Sequence, residues 1–128
     1  MDVILDTNFL IYCAREKLDY VEAIRDLLNE GYNLVVPEQV IKELEGLRDD
    51  KLKKVKGKDK DAASLALKIL GFNGVEKISI AGKSVDDAIV KLAKSDSKNI
   101  VCTLDREMRN ILGRVILVNR GKRLMLTR

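Results

Sequence analysis

Met1-Asp2-Val3-Ile4-Leu5-Asp6-Thr7-Asn8 opens the chain with an apolar run, Val3 to Leu5, that stops on Asp6-Thr7-Asn8. A run rich in β-branched residues, with nothing polar inside it, predicts a strand buried on both faces, as in parallel sheets covered by helices. Its last residue is then a carboxylate at the carboxyl edge of the sheet, where loops leave the strands and ligands bind. Asn99-Ile100-Val101-Cys102-Thr103-Leu104-Asp105 repeats the pattern near the other end and closes on Asp105. Two strands that each deliver an aspartate at their carboxyl ends are the first half of a metal site.

Between these two runs the periodicity alternates between strand and helix. Phe9 to Ala14 predicts a short buried helix, and Asp19 caps a second one in which Val21, Ile24, Leu27 and Leu28 recur at helical spacing before Gly31. Leu34-Val35-Val36 is a second strand. Pro37 opens a helix to about Leu47, since its missing N–H would be unsatisfied at the first helical position anyway. Arg48 to Asp61 carries Lys51, Lys53, Lys54, Lys56, Lys58 and Lys60 among four aspartates. It reads equally as a solvated loop and as a phosphate-contacting patch, and it contains no aromatic for base stacking. A helix resumes from Ala62 to Leu70, and Lys77 to Ile80 is a third strand. Val85, Ala88, Ile89, Leu92 and Ala93 follow Ser84 on a strict helical template. After the fourth strand, Arg106 to Leu112 forms a short helix and Val115 to Val118 a fifth strand. The basic tail, with Arg120, Lys122, Arg123 and Arg128 around Leu124-Met125-Leu126, either packs an extra strand or docks on a partner.

Strand and helix in alternation predict an α/β protein, a three-layer α/β/α sandwich around a central parallel five-stranded sheet. At 128 residues with 46% hydrophobic content, residues 1–128 form a single domain with a core of adequate size. The net charge of +4 favours an anionic partner weakly. Cys13 and Cys102 show no metal-binding or redox spacing and read as reduced core thiols. No run suits a signal peptide or a bilayer span, which predicts a cytoplasmic protein without a membrane partner. The chain contains no histidine, so Ser-His-Asp triads, Cys-His pairs and nearly all zinc hydrolase sites are excluded. Its chemistry rests on carboxylates, lysines or hydroxyls.

Asp6, Asp105, the first turn of the helix after Ser84 and the helix after Pro37 can all project at one sheet edge. Glu43 flanks the apolar stripe of its helix, beside Val40 and Leu47, and can lean toward that edge or remain an ordinary helix glutamate. Asp86 and Asp87 fall in a first turn, where acids favour the helix dipole, and Ser84 with Asp87 resembles a capping box. On geometry alone Asp87 is a cap rather than a ligand. Clustered carboxylates must protonate or be neutralised by a cation. Oxygen-only donors suit Mg²⁺ or Mn²⁺, and metal-assisted hydrolysis of a phosphodiester is the reaction that uses such a set.

Asp6-Thr7-Asn8 after an N-terminal strand, Glu43 in the helix that follows, Asp86-Asp87-Ala88-Ile89 at a late helix start and Thr103-Leu104-Asp105-Arg106-Glu107 together resemble a PIN-domain nuclease. The region from Val101 to Arg123 is similar to the ribosomal-RNA-processing branch as much as to the VapC toxin branch. The resemblance implies a Mg²⁺- or Mn²⁺-dependent endoribonuclease acting on single-stranded RNA through Asp6, Glu43, Asp87 and Asp105, with Asp6 and Asp105 as principal metal ligands. It makes Asp87 a ligand as well as a cap and sets Asp86 aside. Asn8 and Thr103 match supporting polar positions, and Glu45 and Glu107 are outer acids. An antitoxin or a ribosome-assembly partner is implied by one branch or the other, and homodimers are frequent among such relatives. The alternatives are a non-catalytic RNA-binding PIN module, or a receiver-like phosphoacceptor, which wants a second acid beside Asp6 where this chain has Asn8.

Overall fold

Strand β1 (Asp2–Leu5) occupies an inner position of a sheet whose order is β3-β2-β1-β4-β5-β6 in a computed structural model that describes residues 1–52 and 54–127. Lys53 and Arg128, read above as part of the lysine run and the basic tail, lie outside the described residues. β1 pairs in parallel with β2 (Asn33–Pro37) on one side and with β4 (Ile100–Cys102) on the other. β3 (Glu76–Ile78) extends the sheet beyond β2, and β5 (Val115–Val118) extends it beyond β4. Val3, Ile4, Leu5, Ile100, Val101 and Cys102 are fully buried. A central strand covered on both faces requires that, and the uninterrupted apolar runs anticipate it.

The sheet has six strands rather than five and is mixed rather than wholly parallel. β6 (Leu124–Leu126) returns antiparallel along β5 after a turn in which Lys122 takes a positive φ. The extra strand covers what would otherwise be the open edge of β5.

The chain steps outward from β1 to β2 and β3, then returns to place β4 on the opposite side of β1. Helices α1 (Thr7–Arg15), α2 (Tyr20–Leu27), α3 (Glu38–Arg48) and α4 (Gly57–Phe72) belong to the outward steps. α5 (Val85–Lys94) and α6 (Glu107–Leu112) belong to the return. Right-handed crossovers therefore place the two sets on opposite faces of the sheet. α1, α3 and α4 pack on one another, and α5 lies against β1, β2 and β4. The reversal of direction leaves a switch point between β1 and β4, with a crevice at their carboxyl ends.

Several boundaries differ from the sequence expectation. Pro37 ends β2 and N-caps α3, one residue before the first helical position. α4 starts at Gly57, five residues ahead of Ala62, so Lys58 and Lys60 of the lysine run are helical and Lys56 is the N-cap. Cys13 and Cys102 are free and buried, as expected of core thiols, and burial pushes the Cys13 thiol up to about 12. Among the described residues no helix is long and apolar enough to cross a membrane.

Candidate active site

The parallel register fixes what meets at the crevice. Leu5 pairs with Cys102, and the Asp6 N–H donates to the Cys102 carbonyl at 3.0 Å, so the residues that leave β1 and β4 leave side by side. Asp6 is 4% exposed and N-caps α1, its Oδ1 accepting the Thr7 N–H at 2.8 Å. Its Oδ2 accepts the hydroxyl of Thr103, a fully buried residue, at 2.7 Å. That hydroxyl oxygen in turn accepts the Asp105 N–H at 3.1 Å. Asn8 Oδ1 accepts the Leu104 N–H at 3.2 Å and lies 3.5 Å from Thr103 Oγ1. Thr103 is thus the peg that joins the two strand ends, and Asn8 braces the loop after β4 from the first turn of α1.

Asp6 faces a pocket of about 320 Å³ bordered by Asn8, Glu43, Ser84 and Asp86. Burial raises the Asp6 pKa above its usual range; the hydrogen bonds from Thr103 and Thr7 oppose this, and the charges of Asp86 and Glu43 add to the rise. An unneutralised carboxylate in this position is therefore unfavourable.

The structure brings Asp6 and Glu43 together as expected, but the acid that completes the pocket from α5 is Asp86. Asp87, the acid expected from the resemblance, does not border it. The Asp87 N–H donates to Ser84 Oγ at 3.1 Å, its Oδ2 accepts the Lys83 N–H at 3.1 Å, and Lys91 Nζ stands 3.4 Å from the same oxygen. The Lys83 N–H first, and then Lys91, hold the Asp87 carboxyl below its usual range. Helical phase gives the reason and was available in the sequence. At about 100° per residue, Asp87 points away from the stripe of Ala88, Ile89, Leu92 and Ala93, while Asp86 lies on its flank. Gly82 sets how closely the preceding loop meets α5: a Cβ there would stand 2.9 Å from Ala88 N.

Asp105 leaves β4 on the same edge but does not border this pocket, and its Oδ1 accepts the Glu107 N–H at 2.9 Å at the start of α6. Of the four expected acids, Asp6 and Glu43 border this pocket, and Asp87 and Asp105 do not. Among the described residues no group of three or more acidic or cysteine side chains converges to hold one metal ion. In kind, the donors on the pocket are carboxylate oxygens suited to a hard cation, and the repulsion felt by Asp6 is what a cation there would relieve.

Comparison with known proteins agrees with this fold. Ribonuclease VapC4 of Methanocaldococcus jannaschii is 35% identical over 111 residues, which span 86% of this chain and 81% of that protein. Among solved structures, the PIN domain endonuclease Utp24 superposes with a TM-score of 0.73 at 24% identity, over 98% of this chain and 93% of that one. The Rickettsia felis VapBC2, solved bound to a DNA fragment from its promoter, gives a TM-score of 0.57 at 19% identity over 86% and 92% of the two chains. At those identities the two structures speak to the fold alone. Residues 3–121 match the family described as PIN like domain, and with that match added to the switch-point acids, the chain belongs to the family of PIN-like domains.

Proposed function

We propose that the protein is a divalent-metal-dependent endoribonuclease that hydrolyses phosphodiester bonds of single-stranded RNA at the pocket of Asp6, Glu43 and Asp86. One observation carries the reading: a buried carboxylate, pinned at a switch point by Thr103, faces two further acids instead of a basic partner. A purely structural aspartate at such a depth would be expected to have a cation beside it. Kinship with a VapC ribonuclease supports RNA as the substrate.

Asp6, Glu43 and Asp86 would hold the ion. Asp105 would join them through Oδ2, which accepts no hydrogen bond among the described residues. Bound Mg²⁺ or Mn²⁺ would supply a Lewis acid that activates water and stabilises charge on the phosphorus oxygens. Thr103 orients Asp6 by its hydroxyl, and Asn8 keeps the Leu104 backbone in place beside it. Glu43, on the exposed rim of the pocket, would accept a proton from attacking water at its carboxylate. Asp87 holds the start of α5 and leaves the chemistry to its neighbour.

Cleavage of labelled single-stranded RNA by wild type, Asp6→Asn, Asp86→Asn and Asp87→Asn, with Mg²⁺, with Mn²⁺ and with EDTA, tests the reading. Metal-dependent cleavage that is lost in the first two variants and kept in the third is expected. Cleavage indifferent to EDTA, or to Asp86→Asn, would overturn it. The same kinship favours a toxin role in which a small antitoxin holds the enzyme; growth arrest on expression, relieved by a co-expressed neighbouring gene, distinguishes that role from RNA processing.

A further inference from the structure

A second groove, of about 670 Å³, opens beside the acidic pocket, and Asn8 borders both. In the sequence its lysines are mixed with aspartates, which offset part of the segment's positive charge along the chain. The fold engages three of the segment's four aspartates within the protein, one of which, Asp59, borders the groove itself. Asp49 pairs with Arg48, and Asp59 with Arg15. Asp50 accepts the Val55 N–H at 2.8 Å and the Leu52 N–H at 3.3 Å, so it shapes the loop from within. Lys54, Lys56 and Lys58 remain exposed along the groove, and among the described residues none of them has a carboxylate within ion-pair distance. The aromatic missing from the lysine run comes from another element: Tyr12 of α1, half-buried, lines the same groove together with Leu47 and Leu104.

We propose that this groove binds the nucleotides adjoining the cleaved bond of a single-stranded RNA, with the three lysines on its phosphates and Tyr12 stacked on a base. The inference rests on the nuclease reading above and deepens it. A pocket of three acids repels a polyanion, so the strand needs an anchor near the site of cleavage, and a chain leaving the pocket past Asn8 enters this groove. Single-strand binders combine basic tracks with aromatic platforms in this way, and the platform requires an unpaired base. An acidic protein segment would use the lysines without needing the tyrosine.

The test measures binding of labelled single-stranded RNA to the full chain in EDTA at several salt concentrations, and cleavage with Mn²⁺, for wild type, Lys54→Gln/Lys56→Gln/Lys58→Gln, Tyr12→Leu and Tyr12→Phe. The triple variant is expected to reduce the slope of log affinity against log salt by about 2, roughly 0.7 for each phosphate no longer neutralised, and to raise KM while kcat changes little. Tyr12→Leu weakens binding by roughly tenfold or more, and Tyr12→Phe restores it, which separates stacking from a folding defect. Wild-type slope and KM in the triple variant, with wild type itself active, overturn the groove and leave the nuclease standing; competition by a polyglutamate peptide would then assign the lysines to an acidic protein. A wild type that neither binds nor cleaves RNA overturns both.

Discussion

Replacing Asp6 by Asn isolates the energetic cost of the acidic pocket, because the side chain keeps its shape and loses its charge. Asn retains an acceptor for the Thr7 N–H, and its amide can donate to Thr103 Oγ1 in place of the present O–H donation to Asp6. The losses are an anion at the start of α1, about 0.3–1 kcal/mol, and the charge assistance of two hydrogen bonds, about 1 kcal/mol each. Against them stand the burial of a carboxylate, several kcal/mol in general, and repulsion from Asp86 and Glu43. Burial is the larger of the two, and the charges of Asp86 and Glu43 add to it. The raised pKa of Asp6 shows that the unfavourable side is larger. Asp6→Asn should therefore gain about 1–3 kcal/mol in chelator at neutral pH, and each kcal/mol lifts the Tm of a chain this size by about 4 °C. The folded pKa lies above the unfolded value near 3.8. The wild-type penalty is thus full above the folded pKa, shrinks as pH falls toward 3.8 and vanishes below it, and the advantage of Asn follows the same course. Added Mg²⁺ at about 100 times its Kd should return about 2.7 kcal/mol to wild type and less to the variant, so the order of the two melting curves closes or reverses. Thermal melts in EDTA and in metal, at neutral and acid pH, decide the matter. An equal or lower Tm for Asp6→Asn in EDTA at neutral pH would refute the account of Asp6 as a repelled carboxylate.

Asp86→Asn should abolish cleavage with its Tm in EDTA unchanged or raised, whereas Asp87→Asn should keep cleavage and lower the Tm, a contrast read from paired melts and initial rates. Thr103→Val preserves shape but leaves Asp6 Oδ2 and the Asp105 N–H without their shared partner, so it should cost about 1–3 kcal/mol in urea unfolding and reduce kcat. Gly82→Ala brings a Cβ to 2.9 Å from Ala88 N and should cost about 1–3 kcal/mol, with cleavage falling because the first turn of α5 carries Asp86; an unshifted Tm would show that the loop gives way freely.

The strands that build the site were legible in the sequence because burial on both faces leaves an unambiguous apolar run, and β1 and β4 are the most deeply buried strands. The start of α4 was not, since its first turn, Gly57-Lys58-Asp59-Lys60, has no apolar stripe of its own. That turn is helical because the rest of α4 packs on α1 and α3, and tertiary contact prevails over local signal. β6 reads weakly for a related reason: Leu-Met-Leu is short, and Met125, in its middle, is exposed. The meeting of Asp6, Asn8, Thr103 and Glu43 at one sheet edge was legible in the sequence. Which of Asp86 and Asp87 borders the pocket was not read there, because a motif gives position along the chain but not phase around the helix. Ser84, Lys83 and Lys91 fix that phase by taking Asp87 for themselves.

That division of labour has a consequence for how the site is built. Asp6 serves two ends at once, capping α1 through Oδ1 and meeting Thr103 through Oδ2, so the same carboxylate that is costly to ionise also fastens β1 to β4 across the switch point. A change that removes only the charge should release the cost and keep the fastening. A change that removes the hydroxyl of Thr103 should leave the cost and lose the fastening. Opposite signs of stability change for Asp6→Asn and Thr103→Val, two residues joined by one 2.7 Å hydrogen bond, are therefore what separates a functional carboxylate from an ordinary buried polar pair, for which both substitutions would destabilise together.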